Sequence, residues 1–88
     1  MENMYNNELR EILIGDKVIG FNQTMRGIEK KLIDSVVLAQ DAESNFKQKV
    51  ENKCRGENIK IFYVPSGLVL AEFCKIDVPC AVIGILRR

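Results

Sequence analysis

The chain contains no histidine. That removes the commonest general base and the commonest metal ligand together. Catalysis would have to rest on carboxylates, lysines or thiols. The three cysteines, Cys54, Cys74 and Cys80, are odd in number and lack a C-x-x-C spacing. Neither a zinc site nor a disulfide framework is written there. They read as reduced thiols in or near a core, where free Cys behaves as a small hydrophobe. A Cys74–Cys80 redox pair is the alternative. No apolar run approaches the roughly 18 residues that span a bilayer. Met1 to Asn7 is polar and acidic, unlike a signal or transit peptide. The expectation is a cytoplasmic protein with no membrane partner, no metal and no cofactor. Internal repeats, low-complexity tracts and linkers are absent as well.

What is there is one small domain. Its 88 residues, 47% apolar and 28% charged, are ordinary for a soluble globular chain and leave no room for a second core. The net charge of +1 is low for a nucleic-acid binder, because phosphate neutralisation supplies much of such affinity. The distribution is less even than the sum. Between Lys17 and Lys31 stand Lys17, Arg26, Lys30 and Lys31 against Glu29 alone. A second basic region, from Asn45 to Lys60, reads as a solvated helix face.

Helical and strand patterns alternate. Leu9, Ile12 and Leu13 have the i, i+3, i+4 spacing of a short amphipathic helix ended by Gly15, and Lys17 to Gly20 reads as a short strand. Asn22 is positioned to cap a second helix with Met25, Ile28 and Leu32 as its buried stripe. Ser35 to Ala39 is a near-continuous apolar run, as in a strand covered on both faces. Ser44 is placed to N-cap a helix with Phe46, Val50 and Cys54 on one stripe, ending near Gly56. Ile59 to Val64 is β-branched and aromatic. Pro65 stops that strand, and Ser66 caps a helix carrying Leu68, Ala71 and Phe73. The loop Ile76–Pro79 leads to a last strand, Ala81–Leu86. This order predicts an α/β fold, a single-domain three-layer α/β/α sandwich on a mixed sheet of about four strands, with residues 1–7 frayed.

The stretch most loaded with recognition chemistry is Gly20-Phe21-Asn22-Gln23-Thr24-Met25-Arg26. Glycine permits close backbone approach. A helix N-terminus offers free N–H groups and the positive end of the dipole to phosphate. Amide side chains carry donors and acceptors, and arginine has a fork suited to guanine or phosphate. The plain structural alternatives are that Asn22 only caps, that Gln23 is surface, and that Arg26, Lys30 and Lys31 form a solvated face. Asp41 and Glu43 read as turn and helix-start residues, not a catalytic pair.

Three blocks, Val18 to Arg26, Asp34 to Glu43 and Tyr63-Val-Pro-Ser66, resemble in order the kink-turn-binding ribosomal protein family (the L-seven-Ae and L-thirty-e type). Its signature is Gly-x-Asn-Glu-x-x-Lys, a strand ending in Ala-x-Asp, and Val-Pro-Ser before a helix. The resemblance runs from about Glu8 to Ile85. It implies a non-enzymatic RNA-binding protein whose partner is structured RNA with a kink-turn motif, ribosomal RNA among the candidates, with no small-molecule substrate and a monomer by default. Gly20 and Asn22 would lie at the RNA backbone and the sheared G·A pairs, with Phe21 between them counted among the RNA-binding residues. Gln23 would face a guanine edge, Arg26 would reach guanine O6 or phosphate, and Lys30 would follow on the same face. Ile76, Asp77, Val78 and Pro79 would cover bases flipped out at the kink. RNA is generally read at such distorted sites. Gln23 stands where the family often has Glu, Arg26 and Gly67 where it has Lys, and Phe73 and Lys75 where small residues are usual. Lys31 occupies a common Gly position after the helix. The alternatives are a protein-interaction adaptor on the same fold without RNA binding, and a small thiol enzyme using Cys74 or Cys80.

Overall fold

The computed structural model describes residues 15–87. The expected helix around Leu9, Ile12 and Leu13 and the expected fraying over 1–7 lie outside the described residues. From Lys17 onward the order is β1 (Lys17–Ile19), α1 (Phe21–Glu29), β2 (Ile33–Ala39), α2 (Ser44–Gly56), β3 (Lys60–Val64), α3 (Gly67–Cys74) and β4 (Val82–Leu86). The strands form one mixed sheet in the order β1-β4-β2-β3. β2 and β3 are parallel, whereas β4 runs against both of its neighbours, β1 and β2.

Alternation along β2 explains the layers. Val36 and Leu38 pack with Ile28 of α1 and Val50 and Cys54 of α2. Val37 and Ala39 face the opposite way and pack with Leu70 of α3 and Ile83 and Ile85 of β4. Successive side chains of a strand point to opposite faces, so a strand with helices on both sides must be apolar throughout. The predicted α/β/α sandwich is therefore the observed one.

α1 lies close to the sheet because two glycines let it. A Cβ placed on Gly27 would lie 2.9 Å from Ile33 Cδ1, and one on Gly84 would lie 2.8 Å from the same atom. Ile33 thus fills a slot between helix and strand that admits no further methyl group. The stripe of α1 buried here is Thr24, Gly27 and Ile28. Leu32 is not part of it. The helix ends at Glu29 and Lys31 turns left-handed at φ 62°, which carries Leu32 out to 50% exposure.

Two other expectations need correction. Leu68 is 64% exposed, and α3 instead buries Gly67, Leu70 and Ala71. Ser66 does cap this helix, its Oγ accepting from Val69 N at 3.2 Å, and that start point sets which face meets the sheet. Ser44 does not cap α2. Glu43 holds the N-cap position, and Ser44 is the first helical residue.

Topology gathers the loops. β1, β2 and β3 run the same way, so all three helices start from one edge of the sheet, the edge at which β4 begins. Sites in α/β folds commonly lie at the carboxyl ends of parallel strands.

Candidate nucleic-acid interface

Gly20 connects β1 to α1 with φ 102° and ψ 162°. Nothing would obstruct a Cβ there, so backbone conformation, not crowding, calls for glycine. Its N–H donates to Val82 O at 3.0 Å and its carbonyl accepts from Thr24 N at 3.1 Å. That second bond is the first turn of the helix. The amides of Phe21, Asn22 and Gln23 precede the helical ladder, and no side chain caps them.

Asn22 is not the cap that its place in the sequence predicts. The N-cap is Gly20, and Asn22 sits inside the first turn, exposed. Its amide is left for a partner outside the helix. Gln23 and Arg26 are exposed beside it, and Lys30 follows one turn later at the C-cap. No acidic residue stands in the first turn. Neither Arg26 nor Lys30 has an ion-pair partner among the described residues. Phe21 has structural work as well, since its ring stacks on Phe46 at 4.6 Å and 7°. This joins the starts of α1 and α2, and it leaves Phe46 about one-third exposed.

The second part of the predicted site is the loop after α3. Lys75 takes φ 59° at the helix C-cap, and Ile76 N reaches back to Ala71 O at 3.1 Å, closing a Schellman turn. Ile76 is half-buried against the α3 side of the core. Asp77, Val78 and Pro79 are exposed, with Val78 63% accessible. The loop then returns to the start of α3, where Cys80 N donates to Gly67 O at 3.2 Å. A Cβ on Gly67 would lie 3.1 Å from Cys80 O and 3.4 Å from Pro79 Cβ. Glycine at this position is what lets the loop close down on the helix. The Gly20 backbone lies against the Cys80 thiol. The loop therefore returns beside the first turn of α1.

Asp41 anchors this edge. Its Oδ1 accepts from Gly67 N at 3.0 Å, so the carboxylate serves the start of α3 and not that of the helix following it in sequence. Charge on α2 is largely used internally: Lys53 pairs with Glu29 at 3.5 Å and Lys47 Nζ donates to Gln40 O at 3.1 Å. Lys31 finds Glu57 at 2.9 Å, which holds the Glu57 carboxyl below its ordinary range.

The thiols lack the electrostatics of reactive groups. Burial and the nearby Glu51 push Cys54 up to about 11, and burial also raises Cys74 and Cys80. A reactive thiol needs the opposite change. All three are free cysteines.

The sequence does not display a groove beside α1. Val18 of β1, Leu86 of β4 and Leu32 form its floor; Gln23, Arg26, Gly27 and Lys30 form its wall. Only strand pairing brings Val18 and Leu86 together, so no local spacing announces it.

Residues 5–88 match the model of the ribosomal protein L7Ae/L30e/S12e/Gadd45 family, and the chain belongs to that family. An RNA-binding protein of Halalkalibacterium halodurans is 39% identical over 72 residues, covering 82% of this chain and 88% of the relative. RNA-binding protein YbxF of Geobacillus stearothermophilus is 34% identical over 73 residues, covering 83% and 89%. Among solved structures, the Giardia lamblia 15.5kD RNA binding protein superposes with a TM-score of 0.87 at 18% identity, covering 100% of this chain and 78% of that one. That likeness is one of fold.

Proposed function

We propose that this chain is a non-enzymatic RNA-binding protein that recognises kink-turn-like motifs. The observation that carries the reading is the first turn of α1. It opens at Gly20 without a side-chain cap and presents Asn22, Gln23 and Arg26 exposed, with the returning Ile76–Pro79 loop beside it. Free helix-start amides and a positive dipole end suit phosphate. The two carboxamides and the guanidinium suit base edges in an opened helix. Family membership and the RNA-binding names of the relatives support the same reading.

The test is a titration of the full chain with a kink-turn duplex and an equally long duplex whose G·A pairs are disrupted. Salt is held at one near-physiological concentration, because affinity depends steeply on it. A large preference for the intact motif is expected. Equal, weak binding to both overturns kink-turn recognition.

A further inference from the structure

The groove along α1 has two halves of different chemistry. The floor, Val18, Leu32 and Leu86, is apolar, and Leu32 is half-exposed on it. The wall carries the Gln23 carboxamide and two cations, Arg26 and Lys30, one helical turn apart. Other cations nearby are committed: Lys31 to Glu57 and Lys53 to Glu29. Arg26 and Lys30 keep their charge unpaired among the described residues, directly over exposed apolar surface. The cavity volume is about 110 Å³. That falls well below the roughly 300–1,000 Å³ of an enclosed small-molecule site. A single ring system laid on the floor is what the space admits.

We propose that this groove holds one unstacked nucleotide of the bound RNA, outside the kink itself. The base lies face-down on Val18, Leu32 and Leu86, and its outer phosphate meets Lys30, the wall cation that the kink-turn surface of Asn22, Gln23 and Arg26 leaves over. The inference rests on the RNA-binding reading and extends it by a site for a single-stranded nucleotide. Charge complementarity selects the occupant: an apolar face bordered by Lys30, which has no ion-pair partner among the described residues, matches a base with its phosphodiester. A neutral apolar segment would leave this cation unanswered. Stacking of bases on protein side chains with cationic support is how single strands are held without sequence preference.

The experiment is an amide-resolved NMR titration of the full chain with a single-stranded hexaadenylate and with an abasic ribose-phosphate oligomer of the same length. Chemical-shift changes at Val18, Gly27, Leu32 and Leu86 with the hexaadenylate, and much smaller ones with the abasic oligomer, are expected. Leu32→Ser, a change at an exposed position, should weaken hexaadenylate binding about fivefold or more, the lower end of what one stacked base contributes. It should leave the preference for intact over disrupted kink-turn duplex unchanged. Equal changes with both oligomers overturn the base site and leave a phosphate contact. Silent groove amides with hexaadenylate overturn it outright, and response instead to an acidic leucine-containing peptide assigns the groove to a protein partner. If the kink-turn preference fails while hexaadenylate still seats on the groove, the recognition reading falls and the nucleotide site stands.

Discussion

The two flanks of α1 carry similar residues and do opposite things with them. Toward α2, three contacts are matched: Phe21 stacks on Phe46, Glu29 pairs with Lys53, and Lys31, just past the helix end, pairs with Glu57. Toward β1, Gln23, Arg26 and Lys30 stand over Val18 and Leu86 with no ion pair among the described residues. The difference shows why a net charge of +1 is a poor guide to this molecule. Summed charge counts neutralised and free cations alike, whereas a polyanion meets only the free ones and the helix-start amides beside them.

Moving α1 would abolish the contrast between its flanks. Both flanks depend on Ile33 fitting between Gly27 and Gly84. Gly84→Val forces a side chain against Ile33, Thr24 and Val18, and overpacking of this kind costs about 3 kcal/mol. Chemical denaturation should show a loss of that size with α1 amides exchanging faster. Combining Gly84→Val with Ile33→Ala should recover part of it, because the two changes share one space. Additive losses would mean that the slot is not what seats the helix.

Alkali attacks the matched flank. Cys54 lies in the last turn of α2, and its carbonyl accepts from Glu57 N and Ile59 N. Its thiol is raised from 9.0 to about 11 by burial and by Glu51. The folded state therefore holds this proton more tightly than the unfolded chain does. The stability it contributes is complete below pH 9 and is lost as pH rises toward 11. Tighter proton binding over that range is worth at most about 2–3 kcal/mol. Tyr63, pushed up to about 12 by burial and by its hydrogen bond to Glu51, acts in the same direction at higher pH. Denaturation midpoints should fall between pH 9 and 11, and Cys54→Ala should flatten that fall. An unchanged slope would remove Cys54 as its cause.

RNA affinity should separate the flanks directly. Arg26→Ala is expected to cost about 1–3 kcal/mol against a kink-turn duplex if the guanidinium meets a base edge with both arms. Lys53→Ala, on the matched flank, should change affinity little. Comparable losses from both would reduce Arg26 to one charge among many.

The layers are legible in the sequence because β2 and β4 are apolar on both faces, a pattern only a covered strand tolerates. The Gly20–Arg26 turn is legible because its residues are contiguous. Side-chain preference points to Asn22 as the cap, yet the residue before a helix is chosen by backbone conformation, and Gly20 at φ 102° already ends the strand. Leu32 has helical spacing from Ile28 and so reads as core, while the left-handed turn at Lys31 that expels it has no glycine to announce it. Asp41 reads against its sequence neighbours, yet its partner Gly67 lies 26 residues away. The groove is hidden for the same reason: its floor is assembled from β1, β4 and the turn after α1.

The finest contrast lies between adjacent residues. Lys30 and Lys31 follow one another at the end of α1, yet they differ in what they face. Lys30 borders the groove and is unpaired among the described residues; Lys31 is held to Glu57, and its carbonyl accepts from Arg87 Nε at 3.1 Å. A cation that neutralises an RNA phosphate releases counterions, so its removal lowers the slope of log affinity against log salt by about one unit or less. Lys30→Ala should show that decrease. Lys31→Gly, which retains the left-handed turn that a residue at φ 62° requires, should leave the slope unaltered although it removes the same formal charge. Equal decreases from the two variants would mean that the Glu57 pair opens when RNA binds, and that the two flanks of α1 are one electrostatic surface.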